Sequence, residues 1–415
     1  MLDLRFIRQN VDTVRKAIKA KNEKADIDKI IQFDEDKRKM QFEFDRMRAE
    51  QNRVSQEIPQ LKKAGRDVSQ LLADMSTIAR KIKDISQDLL EISDRLNSEL
   101  LKVPNIPAPD VPVGNSSENR LIREWGKPKH FPFTPRDHLE LAEMNGFLDF
   151  KRAAKISGSG FSAYTDLGAK LERSLINFMI DFHVKNHGYR EISLPVMVKR
   201  EAMIGTGQLP KLEEDMYLIE ADDLFLVPTA EVSMTNFHTG EIIPWQNLPL
   251  QYVSYSPCFR REAGSYGKET KGLQRLHQFN KVEMVRFVHP EKSYDILEEM
   301  VRDAEEIIRE LGLHYRIMCL ATGDLSFASA KTYDIEVWSP GSAKYLEVSS
   351  ISNFESFQAR RASLRFRDTD DKVKFLHTLN GSGVATPRTF IALLETWQNK
   401  DGSIDFPPCL QQYLN

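Results

Sequence analysis

Cysteine is scarce in this sequence. Cys258, Cys319 and Cys409 are the three present, and they form neither a Cys-x-x-Cys pair nor a Cys/His cluster with zinc-site spacing. This usage excludes a disulfide scaffold and gives no reason to expect zinc, and it is typical of reduced thiols in the cytosol. No stretch approaches the roughly 18 apolar residues that a membrane span needs, and the N-terminus lacks the apolar core of a signal peptide. We therefore expect a cytoplasmic protein without a membrane partner.

A strong net charge is also lacking. The chain has 58 Lys and Arg against 61 Asp and Glu, a formal net charge of -3. Such a balance creates no overall attraction to nucleic acid or to an anionic membrane, so a partner of that kind must bind a local patch. The length of 415 residues exceeds the usual size of one hydrophobic core, which favours two domains.

The first hundred residues carry two heptad patterns of apolar residues. The first pattern comprises Ile30, Phe33, Met40, Phe44, Met47, Val54, Ile58 and Leu61, with Lys37 and Gln51 as polar members. The second comprises Val68, Leu71, Met75, Ile78, Ile82, Ile85, Leu89, Ile92 and Leu96. Gly65 lies in a turn between them and suits a left-handed helix stop. The sequence therefore predicts an antiparallel two-helix coiled-coil arm.

Two interpretations of this arm remain open. It could be a dimerisation coiled coil, or a self-contained hairpin whose basic residues meet a phosphate backbone. The basic residues concerned are Lys62, Lys63, Arg66, Lys81 and Lys83. Pro59 removes one helical hydrogen bond, so we expect a bent or shortened helix near the tip.

The heptad pattern stops near Leu100 and a proline-rich, then polar, stretch follows. Beyond it, amphipathic helices at 166–188 and 291–313 alternate with short β-branched runs. Because few strands alternate helix by helix, an antiparallel sheet flanked by helices is favoured over a parallel one. The predicted class is α+β, with an N-terminal domain at 1–101, a linker at 102–120 and a catalytic domain at 121–415.

Residues 259–270 read FRREAGSYGKET, which suggests an anion site. A Walker A loop is excluded, because Glu262 stands where the first glycine belongs and Glu269 follows Lys268. A hairpin with its loop at 264–274 fits better. Side chains alternate along a strand, so Arg260 and Glu262 share one face. The residues that share a face on the returning strand are Arg275, His277, Phe279, Lys281 and Glu283.

If those faces coincide, arginines, an aromatic ring and carboxylates surround one surface. Guanidinium groups bind phosphate bidentately and an aromatic face stacks a nucleobase. The hairpin alone is equally compatible with a salt-bridged structural element.

Five ordered segments resemble those of the seryl-tRNA synthetase family of class II aminoacyl-tRNA synthetases, over essentially the whole chain. The segments that resemble motifs 1, 2 and 3 are GYREISLPVMVKREAMIGTGQLPK, FRREAGSYGKETKGLQRLHQFNKVE and HTLNGSGVATPRTFIALLE. VPTAEV resembles the serine-binding loop, and EVSSISN resembles a segment of the ATP site. The resemblance implies a homodimer, with Pro195 of motif 1 near its interface.

The resemblance also implies roles for individual residues. Arg260 would contact the α-phosphate of ATP and the serine carboxylate, and Arg388 the γ-phosphate, which makes these two the implied catalytic residues. The implied serine ligands are Thr229, Ala230, Glu231, Arg260, Glu283 and Ser382. The implied ATP ligands are Arg260, Arg261, Glu262, Arg275, Phe279, Glu347, Val348, Ser349, Ser350 and Arg388. Glu347 and Ser350 would hold Mg²⁺.

The implied reaction is an in-line attack of the serine carboxylate on the α-phosphorus of ATP. Arginine and Mg²⁺ stabilise the charge that develops, so no nucleophilic Ser or Cys is expected. The seryl group then passes to tRNA(Ser) and, by the same resemblance, to tRNA(Sec). The arm would bind the long variable stem of the tRNA by shape and phosphates.

Two positions depart from the common family pattern. Arg261 stands where serine is frequent, and strand alternation would turn it away from the ATP face. Thr386 and Pro387 precede Arg388 where smaller residues are usual, although proline suits a first helical turn. His277 receives no catalytic role, and the basic run Arg360, Arg361, Arg365 and Arg367 is either a solvated helix face or a contact to the tRNA acceptor end.

Two rival functions are weighed against this one. A non-catalytic tRNA-binding scaffold should have lost an ATP ligand, yet all the implied ligands are present. A ligase that loads an amino acid onto a carrier protein would lack the arm and use a zinc-centred pocket. The sequence therefore favours an ATP-dependent serine–tRNA ligase.

Overall fold

A computed structural model describes residues 1–262 and 272–414. The chain divides into two compact units, one formed by Leu2–Lys19 and Glu23–Val103 and the other by Met1, Ala20–Asn22 and Pro104–Asn415. Within the described ranges, no helix combines the length and apolarity that crossing a membrane requires. Gly267 and Lys268 and most of the predicted loop at 264–274 lie outside the described residues.

The helices and strands of the described residues are as follows. The helices are α1 Leu4–Gln9, α2 Val11–Ala20, α3 Ile27–Lys63, α4 Ser69–Leu100, α5 His138–Asn145, α6 Phe150–Ser157, α7 Asp166–His187, α8 Arg200–Thr206, α9 Glu231–Thr235, α10 Ser293–Glu310, α11 Phe357–Arg361, α12 Thr386–Trp397 and α13 Pro408–Leu414. The strands are β1 Arg120–Trp125, β2 Arg190–Glu191, β3 Met197–Lys199, β4 Leu218–Ile219, β5 Leu224–Leu226, β6 Ile242–Pro244, β7 Leu250–Phe259, β8 Gln278–Val288, β9 Tyr315–Cys319, β10 Lys331–Ser339, β11 Lys344–Asn353, β12 Arg365–Arg367, β13 Val373–Phe375 and β14 His377–Ala385.

The smaller unit contains the predicted two-helix arm. Helix α3 begins where the Asp26 carboxylate accepts a hydrogen bond from the Lys29 backbone N–H, and Gly65 adopts a positive φ in the turn that follows the helix. Every predicted member of the two heptad patterns is buried or half-buried, including Lys37 and Gln51. The coiled-coil prediction is confirmed. At 1.5 Å per residue, α3 is about 55 Å long.

Pro59 does not end its helix. Helix α3 includes this proline and continues to Lys63, so the expectation of a shortened helix at the tip is wrong. A helix interior tolerates one proline when packing against a partner helix offsets the lost hydrogen bond, and Ile58 and Leu61 beside Pro59 are half-buried.

The larger unit is organised by a mainly antiparallel sheet, as predicted. Within the described residues it has eight strands in the order β1-β9-β10-β11-β14-β8-β7-β2. The pair β2–β7 is parallel, and the other neighbours are antiparallel. The predicted hairpin strands are β7 and β8, which pair from Leu250 with Phe287 to Phe259 with Gln278.

Helices α7, α10 and α12 supply much of the core that packs with this sheet. Their fully buried apolar side chains include Leu171, Leu297, Met300, Phe390 and Leu393. These side chains recur at helical spacing, so each helix turns one apolar stripe inward. Burial of such side chains, at about 25 cal/mol per Å² of apolar surface, is the main stabilising term.

The proline-rich segment is packed rather than loose from Asn105 to Val111. The Asn105 backbone N–H donates to the Phe327 carbonyl at 3.0 Å, and its side-chain amide donates to the carbonyls of Ala328 and Phe354, both at 2.9 Å. Ala108 and Val111 are buried in a small apolar cluster. Prolines lack a donor, but the residues between them supply these hydrogen bonds. In the structure this stretch of the predicted linker belongs to the larger unit.

Candidate active site

A cavity of about 530 Å³ opens at the end of the β7–β8 pair. Its wall combines strand ends with the start of helix α12, where Pro387 occupies the first turn. The residues of the sequence prediction that line the cavity are Thr229, Glu231, Arg260, Glu262, Arg275, Phe279, Glu283, Glu347, Val348, Ser350, Ser382 and Arg388. Residues from five separate sequence segments therefore meet at one concave surface.

The two arms of the hairpin place basic and aromatic groups at one end of the cavity. Arg260 directly follows β7, and its Cζ atom lies 5.1 Å from the centroid of the Phe279 ring. Arg275 precedes β8 and its Nε atom lies 2.6 Å from Oε2 of Glu262. Glu262 has a φ of 51°, in the left-handed region, so it is not part of a regular strand. Simple alternation predicted its face but not this backbone.

A buried carboxylate cluster forms the other end. Glu283 is 2% exposed. Its Oε2 atom accepts a hydrogen bond from the Thr229 hydroxyl at 3.2 Å and forms an ion pair with Lys281. Burial of a carboxylate costs free energy unless such partners replace its lost hydration. A second ammonium group brought into the cavity could bind the same oxygens.

Glu231 is the second buried carboxyl group in the cavity. Burial and the nearby Glu283 carboxylate raise the pKa of Glu231 to about 7, against the opposing effect of a hydrogen bond from Gln358. The Gln358 side-chain amide donates to Oε1 of Glu231 at 2.7 Å, and its own oxygen accepts from the Thr378 hydroxyl at 2.7 Å. These bonds fix the Glu231 side chain from behind the cavity.

At the remaining wall, Arg388 is held by Glu347. The Arg388 Nη1 atom donates to the Glu347 carbonyl at 2.8 Å and lies 3.4 Å from Oε2 of the same residue. Strand pairing sets Ser350 of β11 opposite Asp334 of β10. Burial, followed by the charge of Glu347, raises the pKa of the Asp334 carboxyl well above its usual range.

Oxygen donors dominate this wall, as a hard cation requires. Within 1–262 and 272–414, no group of three His, Cys, Asp or Glu side chains has the geometry of a metal site. Mg²⁺ commonly takes one or two protein ligands and completes its shell with phosphate and water. Glu347 and Ser350, both lining the cavity, fit such a shared site.

Three predicted ligands lie outside the cavity wall among the described residues. Ala230 is buried in an apolar cluster, and Ser349 is 1% exposed with its hydroxyl donating to the Ser382 carbonyl at 2.6 Å. The Arg261 side chain is exposed, and its backbone N–H donates to Asp215. The Ala230 and Ser349 side chains therefore support the wall, and the Arg261 side chain lies outside it.

His277 and the basic run have structural contacts. His277 Nδ1 lies 3.0 Å from the Arg260 carbonyl, and its ring centroid lies 5.3 Å from that of Phe161. The basic run is divided between helix α11 and strand β12, so the interpretation as one helix face is wrong. Arg361 donates to the carbonyls of Ile204 and Leu209.

Sequence reasoning missed several residues of the site. Gln358 and Asn380, which hydrogen-bond to Glu231, were not identified, and Lys281 was placed on the shared face without a role. Gln358 lies on a separate short helix, and nothing in its local sequence marks it. Lys281 carried a signal, because it is two residues from Glu283 on a strand.

Comparison with known proteins first identifies the class. Residues 215–397 match the family described as tRNA synthetase class II core domain (G, H, P, S and T), and residues 1–107 match the seryl-tRNA synthetase N-terminal domain. The antiparallel sheet with this cavity is thus the core of a class II synthetase.

Individual relatives show which family within this class the chain belongs to. The chain is 51% identical to the serine–tRNA ligase of Caldicellulosiruptor saccharolyticus, covering 100% of this chain and 99% of the relative. It is 49% identical to that of Geobacter sulfurreducens, covering 100% and 98%. The chain therefore belongs to the serine–tRNA ligase family.

Solved structures agree. The seryl-tRNA synthetase of Pyrococcus horikoshii, complexed with ATP, superimposes with a TM-score of 0.93 at 37% identity, covering 100% of this chain and 98% of that one. The cytoplasmic serine–tRNA ligase of Naegleria fowleri, in complex with AMP, gives a TM-score of 0.88 at 27% identity, covering 100% and 97%.

Proposed function

We propose that this protein ligates L-serine to tRNA(Ser) in two steps. Serine and ATP first give seryl-adenylate and pyrophosphate, and the seryl group then passes to the terminal ribose of the tRNA with release of AMP. The observation that carries the proposal is one cavity lined both by two arginines, Arg260 and Arg388, and by two buried carboxyl groups, Glu231 and Glu283. The first pair suits the anionic triphosphate, and the second suits the ammonium group of an amino acid.

The serine end selects by hydrogen bonding. Glu283 and Thr229 bind the ammonium group, Glu231 adds a second carboxyl group, and Ser382 closes the pocket. The Thr229 hydroxyl already bonds to Glu283 at 3.2 Å and accepts from the Glu231 backbone N–H at 3.2 Å, so both are held in position before serine enters. Alanine is rejected because it leaves buried polar groups without a partner.

The ATP end positions the phosphates and the base. Phe279 stacks on adenine while Glu262 accepts from its edge, and Arg260, Arg275 and Arg388 bind the phosphates. Arg260 approaches the Phe279 ring, so the α-phosphate and the base are held close together. The serine carboxylate then attacks the α-phosphorus in line, and pyrophosphate leaves. Fixed guanidinium groups stabilise the negative charge on the phosphate oxygens in the transition state.

Mg²⁺ is included in the proposal through Glu347 and Ser350. A bound Mg²⁺ would neutralise phosphate charge at the reacting centre. Oε2 of Glu347 lies 3.4 Å from Nη1 of Arg388. An arginine that transfers its contact from Glu347 to a phosphate would free a carboxylate oxygen for the metal.

The arm and the partners complete the proposal. The basic residues Lys62, Lys63 and Arg66 near the turn are exposed and would meet the phosphates of the tRNA variable stem. We extend the substrate to tRNA(Sec), on the family resemblance alone. We also propose a cytoplasmic homodimer. Exposed apolar side chains on and beside the motif 1 segment, Val184, Met197 and Tyr255, favour a second copy of the chain there.

The decisive experiment is serine-dependent exchange of pyrophosphate into ATP by the purified, folded protein with Mg²⁺. We expect exchange with serine and background exchange with alanine, glycine and threonine. Charging of tRNA(Ser), tRNA(Sec) and an acyl carrier protein follows in parallel. A folded protein without exchange would overturn the enzymatic proposal, and transfer to the carrier alone would overturn the tRNA assignment. Light scattering measures the dimer.

A further inference from the structure

Thr386 opens the helix that carries Arg388. It lies between Ala385 and Pro387, which both line the cavity, but it is itself fully buried and turned away from the cavity. A buried hydroxyl without hydrogen-bond partners is costly, so its presence here needs a physical reason. Its contacts supply one.

The Thr386 hydroxyl bonds to two elements at once. It donates to Oε1 of Glu172 on helix α7 at 2.5 Å and lies 3.0 Å from the Asn280 carbonyl on strand β8. The Asn280 side-chain amide donates to the same Glu172 oxygen at 2.9 Å. One buried carboxyl group thus joins the start of helix α12 to the strand that carries Phe279.

Burial of the Glu172 carboxyl group is energetically unfavourable. It is 5% exposed, and its Oε2 atom has no hydrogen-bond partner among the described residues. Burial raises the pKa of Glu172 to about 7, against the hydrogen bonds from Thr386 and Asn280. A buried acid without a salt-bridge partner destabilises a fold unless its hydrogen bonds offset the loss of hydration.

The donors and acceptors around the Thr386 hydroxyl also have to be complementary. The Thr386 hydroxyl has one proton and two oxygen neighbours, Oε1 of Glu172 and the Asn280 carbonyl. If the carboxyl group is protonated on Oε1, it donates to the threonine, which then donates to the carbonyl. In glutamine, the amide oxygen can take the place of Oε1 and accept from both the Thr386 hydroxyl and the Asn280 amide.

We infer that Glu172 and Thr386 are positioning residues for adenylate formation, which set the distance between Arg388 on helix α12 and Phe279 on strand β8. Neither touches the substrate. Arg388 follows Thr386 by two residues, and Phe279 precedes Asn280 by one. The hydrogen bonds of Glu172 and Thr386 therefore hold the backbone that carries Arg388 and Phe279. The inference rests on the proposed function, because Arg388 and Phe279 bind ATP in that proposal.

Thr386→Val tests the inference, since valine has the same shape and lacks the hydroxyl. We expect kcat/KM for ATP in the exchange reaction to fall about tenfold, because small displacements of positioned groups cost much rate. KM for serine should change less than twofold. Thr386→Ser, which keeps the hydroxyl, should recover most of the activity. Glu172→Gln should stay within about threefold of wild type, and Glu172→Ala should match Thr386→Val.

Thr389→Val is the matched control. Thr389 is also fully buried on helix α12, but its hydroxyl donates to the Ala385 carbonyl one turn back. Both valine variants should lower the unfolding midpoint similarly, while only Thr386→Val should lower kcat/KM for ATP. Equal kinetics for the two variants, or wild-type kinetics for Thr386→Val, overturn the inference. Absence of exchange in the wild-type protein would instead overturn the proposed function, so the two failures are distinguishable.

Discussion

The guanidinium group of Arg260 lies over the ring of Phe279, with Cζ 5.1 Å from the ring centroid. Nε of the same arginine donates to the Pro228 carbonyl at 3.3 Å, next to the Thr229 residue that bonds to Glu283. One side chain therefore contacts both the aromatic group and the serine-binding loop. A cation over a ring contributes about 0.5–2 kcal/mol, depending on its exposure. This contact orients the Arg260 guanidinium group within the cavity.

Arg260→Lys should lower kcat for pyrophosphate exchange by about 100-fold or more. Lysine keeps the charge, but it cannot bind phosphate and carboxylate oxygens bidentately as arginine does. Arg316→Lys is the matched control, because Arg316 pairs with Glu336 through Nε at 2.6 Å and does not line the cavity. Similar losses in both variants would show a general effect of the substitution.

Phe279→Leu should raise KM for ATP while KM for serine stays within about twofold. Stacking of a base on an aromatic ring is worth about 1–3 kcal/mol, which corresponds to roughly a 5- to 150-fold weaker affinity. Phe279→Tyr keeps the ring and should remain near wild type. If the leucine variant raised both KM values equally, Phe279 would support the whole cavity rather than the base. Initial-rate exchange kinetics measure both constants.

The pH dependence of serine activation should reflect Glu231, whose pKa is raised to about 7. Below this pH the carboxyl group is protonated in the folded protein and attracts the serine ammonium group less. We therefore expect kcat/KM for serine to rise with pH and to level off above about 7. Ionisation of serine and ATP affects the wild type and Glu231→Gln equally. The ratio of their kcat/KM values for serine therefore reports the ionisation of Glu231. A ratio that is constant from pH 6 to 8 would contradict the assignment.

Shortening the arm should separate the two half-reactions. Removing residues 41–88 and joining Met40 to Leu89 through a short Gly-Ser turn keeps the base of the hairpin, where Ile30, Phe33 and Ile92 are buried. Exchange should remain within about twofold of wild type, while kcat/KM for charging tRNA(Ser) falls at least 100-fold. Phosphate contacts contribute much of the affinity for nucleic acid, so charging by wild type should also weaken with added salt. Equal losses of both activities would mean that the arm is structural.

Periodicity predicted the elements of this fold well, because each element buries a regular apolar stripe. The two heptad patterns and the β7–β8 pair follow directly from spacings of three to four and of two residues. The expectation that Pro59 shortens helix α3 was wrong because a local rule ignores the partner helix. The predicted linker includes a stretch that packs on the larger unit, since proline content reports the absence of a helix, not the absence of contacts.

The candidate site was predictable where one segment carries several groups, as for Arg260 and Phe279. The contact of Glu172 with Thr386 spans 214 residues, and no local pattern reports such a pair. The contact of Gln358 with Glu231 was not predicted for the same reason. The left-handed φ of Glu262 was not predicted, because the strand was assumed to continue up to the loop.

The ion pairs that line the cavity have one more consequence. Arg275 is matched with Glu262, Lys281 with Glu283 and Arg388 with Glu347. In the proposed function, a phosphate that binds Arg275 or Arg388 therefore replaces a carboxylate partner, and the serine ammonium group competes with Lys281 for Glu283. Ligand binding becomes an exchange of counter-ions inside the protein, with little uptake or release of ions from solution. Adenylate formation should then tolerate ionic strengths that abolish the binding of a polyanion to an exposed arm.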